Sequence, residues 1–266
     1  MPATDILQTL QETFLDVDAM REALPELLTV GLPNTLLLAL CSAVLGTLAG
    51  MVLAVCGLSR SRWLRWPARV YTDVFRGLPA AVTILLIGVG LAPVGLLLWG
   101  PNPFPLGILA LSLIASAYIG EIFRSGIQSV EAGQLEAARA LGFSRPTGMR
   151  LVVIPQGVRR VLPALVNQLI ALIKESSLVY FLGLLATQRD LFRIGQDQAA
   201  NTGNESALLL AGLFYLAITV PLTHVVNAVD RRLRDGRRAD GAARPDDVGS
   251  DDRPADAPLA LTQEAR

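Results

Sequence analysis

Of the 266 residues, 52% are hydrophobic and only 17% charged, against about a quarter in ordinary soluble domains, and 23 basic side chains balance 23 acidic ones. This composition excludes the strongly basic surface of a nucleic-acid binder and fits a chain whose main solvent is lipid. The single lysine (Lys174) follows Ile173 rather than glycine, and the single histidine is His224, so neither a GxxxxGK[ST] phosphate loop nor a His-based metal cluster or second-histidine triad is available.

The first thirty residues carry Asp5, Glu12, Asp16, Asp18, Glu22 and Glu26 against one basic group, Arg21. They lack the positive start of a secretory signal, and none is expected. Leu7, Leu10, Phe14 and Leu15 recur at near-helical spacing, so residues 1–30 read as an extracytoplasmic amphipathic lead-in along the membrane surface.

A bilayer core takes about 20 apolar residues per helix. Five stretches qualify, at 31–58, 78–99, 106–123, 161–186 and 207–229. Ala43, Gly46, Gly50 and Gly57 would let a neighbour approach the first closely. Cys41 and Cys56 sit in that same stretch, fifteen residues apart, too far along a helix for a disulfide. Between the second and third lies only a short GPNPFP connection, with Trp99 suited to the interface.

Orientation follows from arginine, which is retained on the cytoplasmic side. Arg60, Arg62, Arg65, Arg69 and Arg76 follow the first span; Arg124, Arg139, Arg145, Arg150, Arg159 and Arg160 follow the third; Arg231, Arg232, Arg234, Arg237 and Arg238 follow the fifth. The opposite side holds Arg21, Arg189 and Arg193, the latter two beside Asp190, Asp197 and Glu205. The chain therefore reads as an all-α polytopic membrane protein of five transmembrane helices, N-terminus outside and C-terminus inside. Its membrane region covers 31–234, and a solvated, disordered cytoplasmic tail is expected over 235–266.

Residues 131–155 (EAGQLEAARALGFSRPTGMRLVVIP) are too polar for lipid and interrupt the apolar runs. Helix-favouring residues lead to Gly142, a position for a left-handed closing residue; Ser144 is placed to cap a second short helix with Pro146 in its first turn and Pro155 at its end. Small residues, among them Ala137 and Ala138, would let another protein approach the backbone. The segment has the form of a cytoplasmic docking element.

Within the fourth span, Lys174 and Glu175 lie roughly 20 Å of helix beyond Val161. Ionisable groups at that depth are costly and face a bundle interior or a wet path. Two readings stand side by side, a translocation path lined by Asn167, Lys174, Glu175, Ser176 and Ser177, or an internal ion pair that fixes packing. Small residues of the third span (Ser112, Ala115, Ser116, Ala117, Gly120), facing Asn167 and Gln168, would make the passage narrow and polar. Glu121 and Arg124 read as a structural pair three apart, and His224 as a packing residue.

The central stretch resembles a known signature. Glu136, Ala137, Ala138, then Gly142, then Val152, Val153, Ile154 and Pro155 resemble the EAA motif of permease subunits of bacterial ABC importers, with Val152 and Ile154 as conservative departures from its end. YTDVFRGLP at 71–79, ALSLIASAYIGEIFRSGIQSV at 110–130 and LPALVNQLIALIKESSLV at 162–179 look like the polar amino-acid branch of that family. The resemblance implies a type I importer architecture in the bacterial cytoplasmic membrane, with no catalysis, metal or cofactor in this chain. ATP and Mg would sit on a partner ATPase dimer, gripped through Glu136, Ala137, Ala138, Gly142 and Pro155. A second permease subunit would complete the path, and an extracytoplasmic solute-binding protein would deliver a polar amino acid. From the residues alone, an ion-coupled carrier or channel using Lys174 and Glu175, or a membrane anchor without a path, remains open.

Overall fold

The structure, a computed structural model, describes residues 3–242, and every regular element among them is helical. The lead-in forms α1 (Ala3–Phe14) and α2 (Val17–Glu26), joined at Asp16, whose carboxylate accepts from the amides of Asp18 and Ala19. The expected boundary at residue 30 is not a break. A π-helical turn, Leu27–Gly31, carries α2 directly into α3 (Leu32–Leu58). There the Leu32 amide reaches back five residues to the Leu27 carbonyl, and the widened turn makes room for the ring of Pro33. Ala23 and Leu27 are buried with Leu191, Ile194, Ala207 and Ala211, so this part of the lead-in is packed rather than merely laid on a surface.

Between α3 and the next long helix the expected span at 78–99 is broken. α4 (Arg62–Gly77) meets α5 (Ala80–Gly88) at a bend of 108°, because Leu78 precedes Pro79 and is held extended at φ −83, ψ 140. A further turn separates α5 from α6 (Ala92–Trp99), where Pro93 starts a new helix. Among the described residues, four helical stretches are long and apolar enough to cross a membrane, at Gln8–Leu58, Phe104–Gln128, Arg145–Leu182 and Ser206–Ala228; the bent α4/α5 pair makes a fifth if it counts as one span.

The centre of the packing is α7 (Phe104–Gln128), whose most extensive partner is α3. Along α3 the buried residues Thr35, Ala39, Ser42, Gly46, Gly50 and Ala54 form one stripe, mostly at intervals of four. Backbones touch there: a Cβ on Gly46 would fall 2.6 Å from the Ala115 Cβ, and one on Gly50 would fall 2.9 Å from the Gly120 amide. Without a hydrophobic drive between helices in lipid, such close approach is what holds them. Gly57 is not part of this seam, its nearest neighbour being 3.5 Å away. Both cysteines are free.

The small residues of α7 therefore belong to the contact with α3 and not to a polar passage. Ser112 donates to the Ile108 carbonyl at 2.6 Å, Ser116 to the Leu113 carbonyl at 2.8 Å, and Ala115 and Gly120 lie against Gly46 and Gly50. Their hydroxyls are already satisfied by their own helix.

Next come α8 (Ala132–Ala140), α9 (Arg145–Gly148) and a second π-helical turn, Met149–Val153, which runs into α10 (Ile154–Glu175). α10 tightens into a 3-10 segment, Ser176–Leu182, and ends at left-handed Gly183, φ +69. The fourth span thus stops four residues before the expected position 186 and starts well before 161. Hydrogen bonds from Ser176 to the Ile173 carbonyl (2.8 Å) and from Ser177 to the Lys174 carbonyl (2.7 Å) accompany the tightening. α11 (Leu191–Thr202) and α12 (Ser206–Ala242) complete the chain. α12 continues to Ala242, beyond the expected helix end at 229 and into the stretch read as disordered from 235, since its Arg, Ala and Leu favour helix. The tail from 243 to 266 lies outside the described residues.

Candidate coupling site and polar path

The segment 131–155 is built by local rules. α8 closes in a Schellman turn: the Phe143 amide donates to the Ala138 carbonyl at 3.2 Å and the Gly142 amide to the Arg139 carbonyl at 3.0 Å, with Gly142 at φ +88. Ser144 caps α9 by accepting from the Thr147 amide at 3.3 Å, and Pro146 sits in the first turn as its sequence position predicts. Pro155 does not end a helix. It lies in the first turn of α10, and the π-helical turn before it, in which the Ile154 amide bonds to the Met149 carbonyl, absorbs the missing donor. α9, the π turn and α10 are consequently one continuous helical rod.

Glu136, Ala137 and Gly142 are exposed, as are Leu141 (81% accessible) and Phe143. Ala138 is buried instead, and Leu135 with it packs near Gly148, where an added Cβ would come within 3.0 Å of Leu135 and 3.3 Å of Ala138. Ala138 therefore closes α8 onto α9 and offers no outward surface. Ile127, Val130 and Val153 form a small core beneath, with Leu58, Leu135, Met149 and Ile154 around it. The exposed elements are thus anchored to the ends of α3, α7 and α10.

The path residues divide. Asn167 and Lys174, seven apart, share an exposed face of α10. Glu175 is half-buried, forms no ion pair with Lys174, and its Oε2 is buried without a hydrogen-bond partner among the described residues. Ser176 is fully buried and, like Ser177, has its hydroxyl bonded to a backbone carbonyl. The internal-pair reading of Lys174 and Glu175 does not hold. Glu121 and Arg124 do pair, the Arg124 Nε donating to Glu121 Oε2 at 2.9 Å, with a second contact through Nη2. His224 is exposed on α12, with no packing contact to it from this chain's core among the described residues.

The residue that sequence reading passed over is Asp190. It is fully buried at the N-cap of α11, accepting from the Arg193 amide at 3.0 Å and from the Tyr215 hydroxyl at 3.2 Å. The next amide, Leu191, donates to Thr35 Oγ1 at 3.1 Å, so α3, α11 and α12 meet at this point. Its signal was an aspartate directly before an apolar helical run, obscured by its neighbours Arg189 and Arg193. Those arginines are engaged separately: Arg189 pairs with Glu26 and Asp197, and Arg193 pairs with Asp197 at 2.8 Å and stacks on Tyr180 at 4.7 Å.

Burial pushes the Asp190 carboxyl up to about 6, against the lowering effect of the Arg193 amide and the Tyr215 hydroxyl. A carboxyl raised above its unfolded value stabilises the fold fully below about pH 4, and that contribution is lost as pH rises through about 6. The amount is on the order of 2–3 kcal/mol. Thermal midpoints of the purified protein are expected to fall between pH 4.5 and 7.5, and Asp190→Asn is expected to flatten that dependence. Identical pH profiles for the two proteins would remove Asp190 as its source.

Comparison with known proteins bears on this geometry. Residues 46–235 match the family described as "binding-protein-dependent transport system inner membrane component". The chain is similar to the arginine transport system permease protein ArtQ of Bacillus subtilis (strain 168), 37% identical over 220 residues, covering 83% of this chain and 98% of ArtQ. It is also similar to the glutamate/aspartate import permease protein GltK of Escherichia coli O6:H1, 35% identical over 223 residues, covering 82% and 97% of the two chains. Among solved structures, an amino acid ABC transporter crystallised with histidines superposes with a TM-score of 0.72 at 33% identity, over 82% of this chain and 98% of that one. The inward-facing MetNI methionine ABC transporter shares the fold, with a TM-score of 0.64 at 18% identity over 76% of this chain and 94% of that one. With the family match spanning most of the chain and its helices superposing on those of solved transporters, the chain belongs to the family of inner membrane components of binding-protein-dependent transport systems.

Proposed function

We propose that the chain is the transmembrane permease subunit of an ATP-driven importer that carries polar L-amino acids across the bacterial cytoplasmic membrane. Relatives named for arginine, glutamine and glutamate/aspartate align along most of its length, and those solutes share one α-ammonium and one α-carboxylate. The observation that ties this reading to the chain's own chemistry is on α10, where an exposed Lys174 adjoins a Glu175 with one buried, unpartnered carboxylate oxygen. A zwitterion supplies both complements, its carboxylate to Lys174 and its ammonium to Glu175, and so completes a hydrogen bond that is expensive to leave unmade. Asn167 lies on the same approach. Ser176 and Ser177 shape it through the backbone.

Energy enters through a separate ATPase dimer that holds ATP and Mg. Glu136, Ala137 and Gly142 form the exposed part of the docking element, Ala138 braces it, and Pro155 marks where it becomes α10. Because α9 runs through the π-helical turn into α10, a displacement at the docking surface is carried along one helix, past Pro163, towards Lys174, and the ATPase shifts the equilibrium by gripping the two access states differently. A second permease subunit, a copy or a paralogue, completes the path, and an extracytoplasmic binding protein supplies the solute. The arginine distribution supports five spans with the N-terminus outside and the C-terminus inside, α5 and α6 together contributing the second, over the expected 78–99.

The test is uptake of labelled arginine, glutamine and glutamate into liposomes containing the whole complex. Lys174→Met and Glu175→Gln are each expected to weaken uptake by about ten- to a hundredfold, the loss of one charged hydrogen bond. Unchanged kinetics in both variants would take the pair off the path. Uptake by this chain without an ATPase would favour an ion-coupled carrier instead.

A further inference from the structure

The surface of α4 is divided into an inner and an outer side. Its inner stripe packs on α7: Ala68 is buried, the Tyr71 hydroxyl donates to the Leu113 carbonyl at 3.0 Å, and Tyr71 and Phe75 stack at 4.5 Å. Its two outer stripes touch nothing comparable. Arg62, Arg65 and Arg69 recur at helical spacing, and beside them run Trp63 and Trp66, which are 91% and 68% exposed. A groove of about 700 Å³ lies among these five side chains and Pro67. Residues 59–72 carry no acidic side chain, and Asp73 comes one turn after Arg69, which lines a neighbouring cavity with Asp73 and Glu121, so the positive face is centred on Arg62 and Arg65 with Arg69 at its edge.

Direction adds a second constraint. α4 begins shortly after α3 ends at Leu58, and its 108° bend to α5 leaves its axis within about 20° of the membrane plane when α5 runs along the bilayer normal. A helix in that attitude, with guanidinium groups on one flank and indoles on the next, matches the interface, where indoles settle at head-group depth and arginines find phosphate. Arginine suits this ligand because its planar fork binds phosphate oxygens in pairs. A protein partner would also accept Trp and Arg, but it would have to offer an acidic surface at the depth where the inner leaflet already presents one.

We propose that α4 is a binding site for anionic phospholipid of the cytoplasmic leaflet, with Arg62, Arg65 and Arg69 holding head-group phosphate while Trp63 and Trp66 enter the acyl boundary. The proposal rests on the inward orientation of the loop after the first span given above. Since α4 packs on both α3 and α7, bound lipid covers the outer face that these contacts leave exposed.

The experiment uses the purified complex with its ATPase, in nanodiscs of phosphatidylcholine alone or mixed with phosphatidylglycerol. Native mass spectrometry measures retained lipid, and brominated acyl chains report on indole depth. The wild type is expected to retain phosphatidylglycerol in preference to phosphatidylcholine, with its tryptophan emission quenched by bromine. The combined change Arg62→Gln, Arg65→Gln and Arg69→Gln is expected to weaken that retention on the order of a hundredfold. Replacing the same three by lysine is expected to restore part of it, separating loss of charge from misfolding. Trp63→Phe with Trp66→Phe is expected to remove most of the bromine quenching. Equal retention of the two lipids by the wild type overturns the proposal, as does shielding of Trp63 by added ATPase with no quenching by lipid. Retention is measured without transport, so failure of the amino-acid reading would leave this result standing, and the reverse holds equally.

Discussion

Gly142→Val is expected to insert in the membrane at normal levels and to lose ATP-driven uptake by about tenfold or more. The reason is backbone, not bulk. At φ +88 a β-branched residue is strained by about 1–3 kcal/mol, while no other atom lies within 4 Å of the added Cβ. Strain there opens the Schellman turn that sets α8 on α9, and with it the spacing of Glu136 and Ala137 from the rod formed by α9 and α10. Gly142→Asn, which tolerates the left-handed region, is expected to keep most of the uptake. Continued ATP hydrolysis without transport is the expected signature of the valine variant. Full uptake by it would remove the docking assignment.

The largest effect on stability is expected from Gly50→Leu. Its Cβ would lie 2.9 Å from the Gly120 amide and 3.0 Å from the Ser116 carbonyl, atoms of a helix backbone that cannot yield as a side chain does. Separating α3 from α7 weakens the most extensive helix contact in the molecule, at about 3 kcal/mol or more. A steep fall in folded protein recovered from membranes, and a lowered thermal midpoint, would be seen. Gly57→Leu is the matched control, because its Cβ meets only the Arg124 side chain at 3.5 Å, at the edge of a cavity of about 220 Å³. Equal loss in both variants would mean that leucine in α3 is harmful for some reason other than the seam.

Much of this arrangement was legible in the chain. Apolar run length marked the long helices, because lipid leaves the backbone no alternative partner and so forces each run to bond within itself. The turn at 142–147 was equally readable: Gly142, Ser144 and Pro146 act on their own neighbours within one turn of helix. Prolines misled where their effect depends on the preceding turn. Pro155 looked like a terminator, yet one extra residue in the turn before it lets the helix pass, as it also does before Pro33. The bend at Pro79 falls where the expected span begins, but composition misled further on, where average apolarity concealed the break between Gly88 and Ala92 and the new start at Pro93.

Interactions within a few residues, and simple counts, were enough to set the helical class, the long apolar spans, the local form of the docking element and the lack of a GxxxxGK[ST] loop. Tertiary structure alone decided which face each residue serves. It turned the small residues of α7 from a supposed passage into the seam with α3, buried Ala138 beneath the exposed Ala137, and left Lys174 and Glu175 unpaired although adjacent. It also brought Asp190, Tyr215 and Thr35 together from positions far apart. Helical periodicity can say that two residues share a face, but only the packed neighbour says what that face meets, and the cost of burying a charge or a hydroxyl is set by that neighbour.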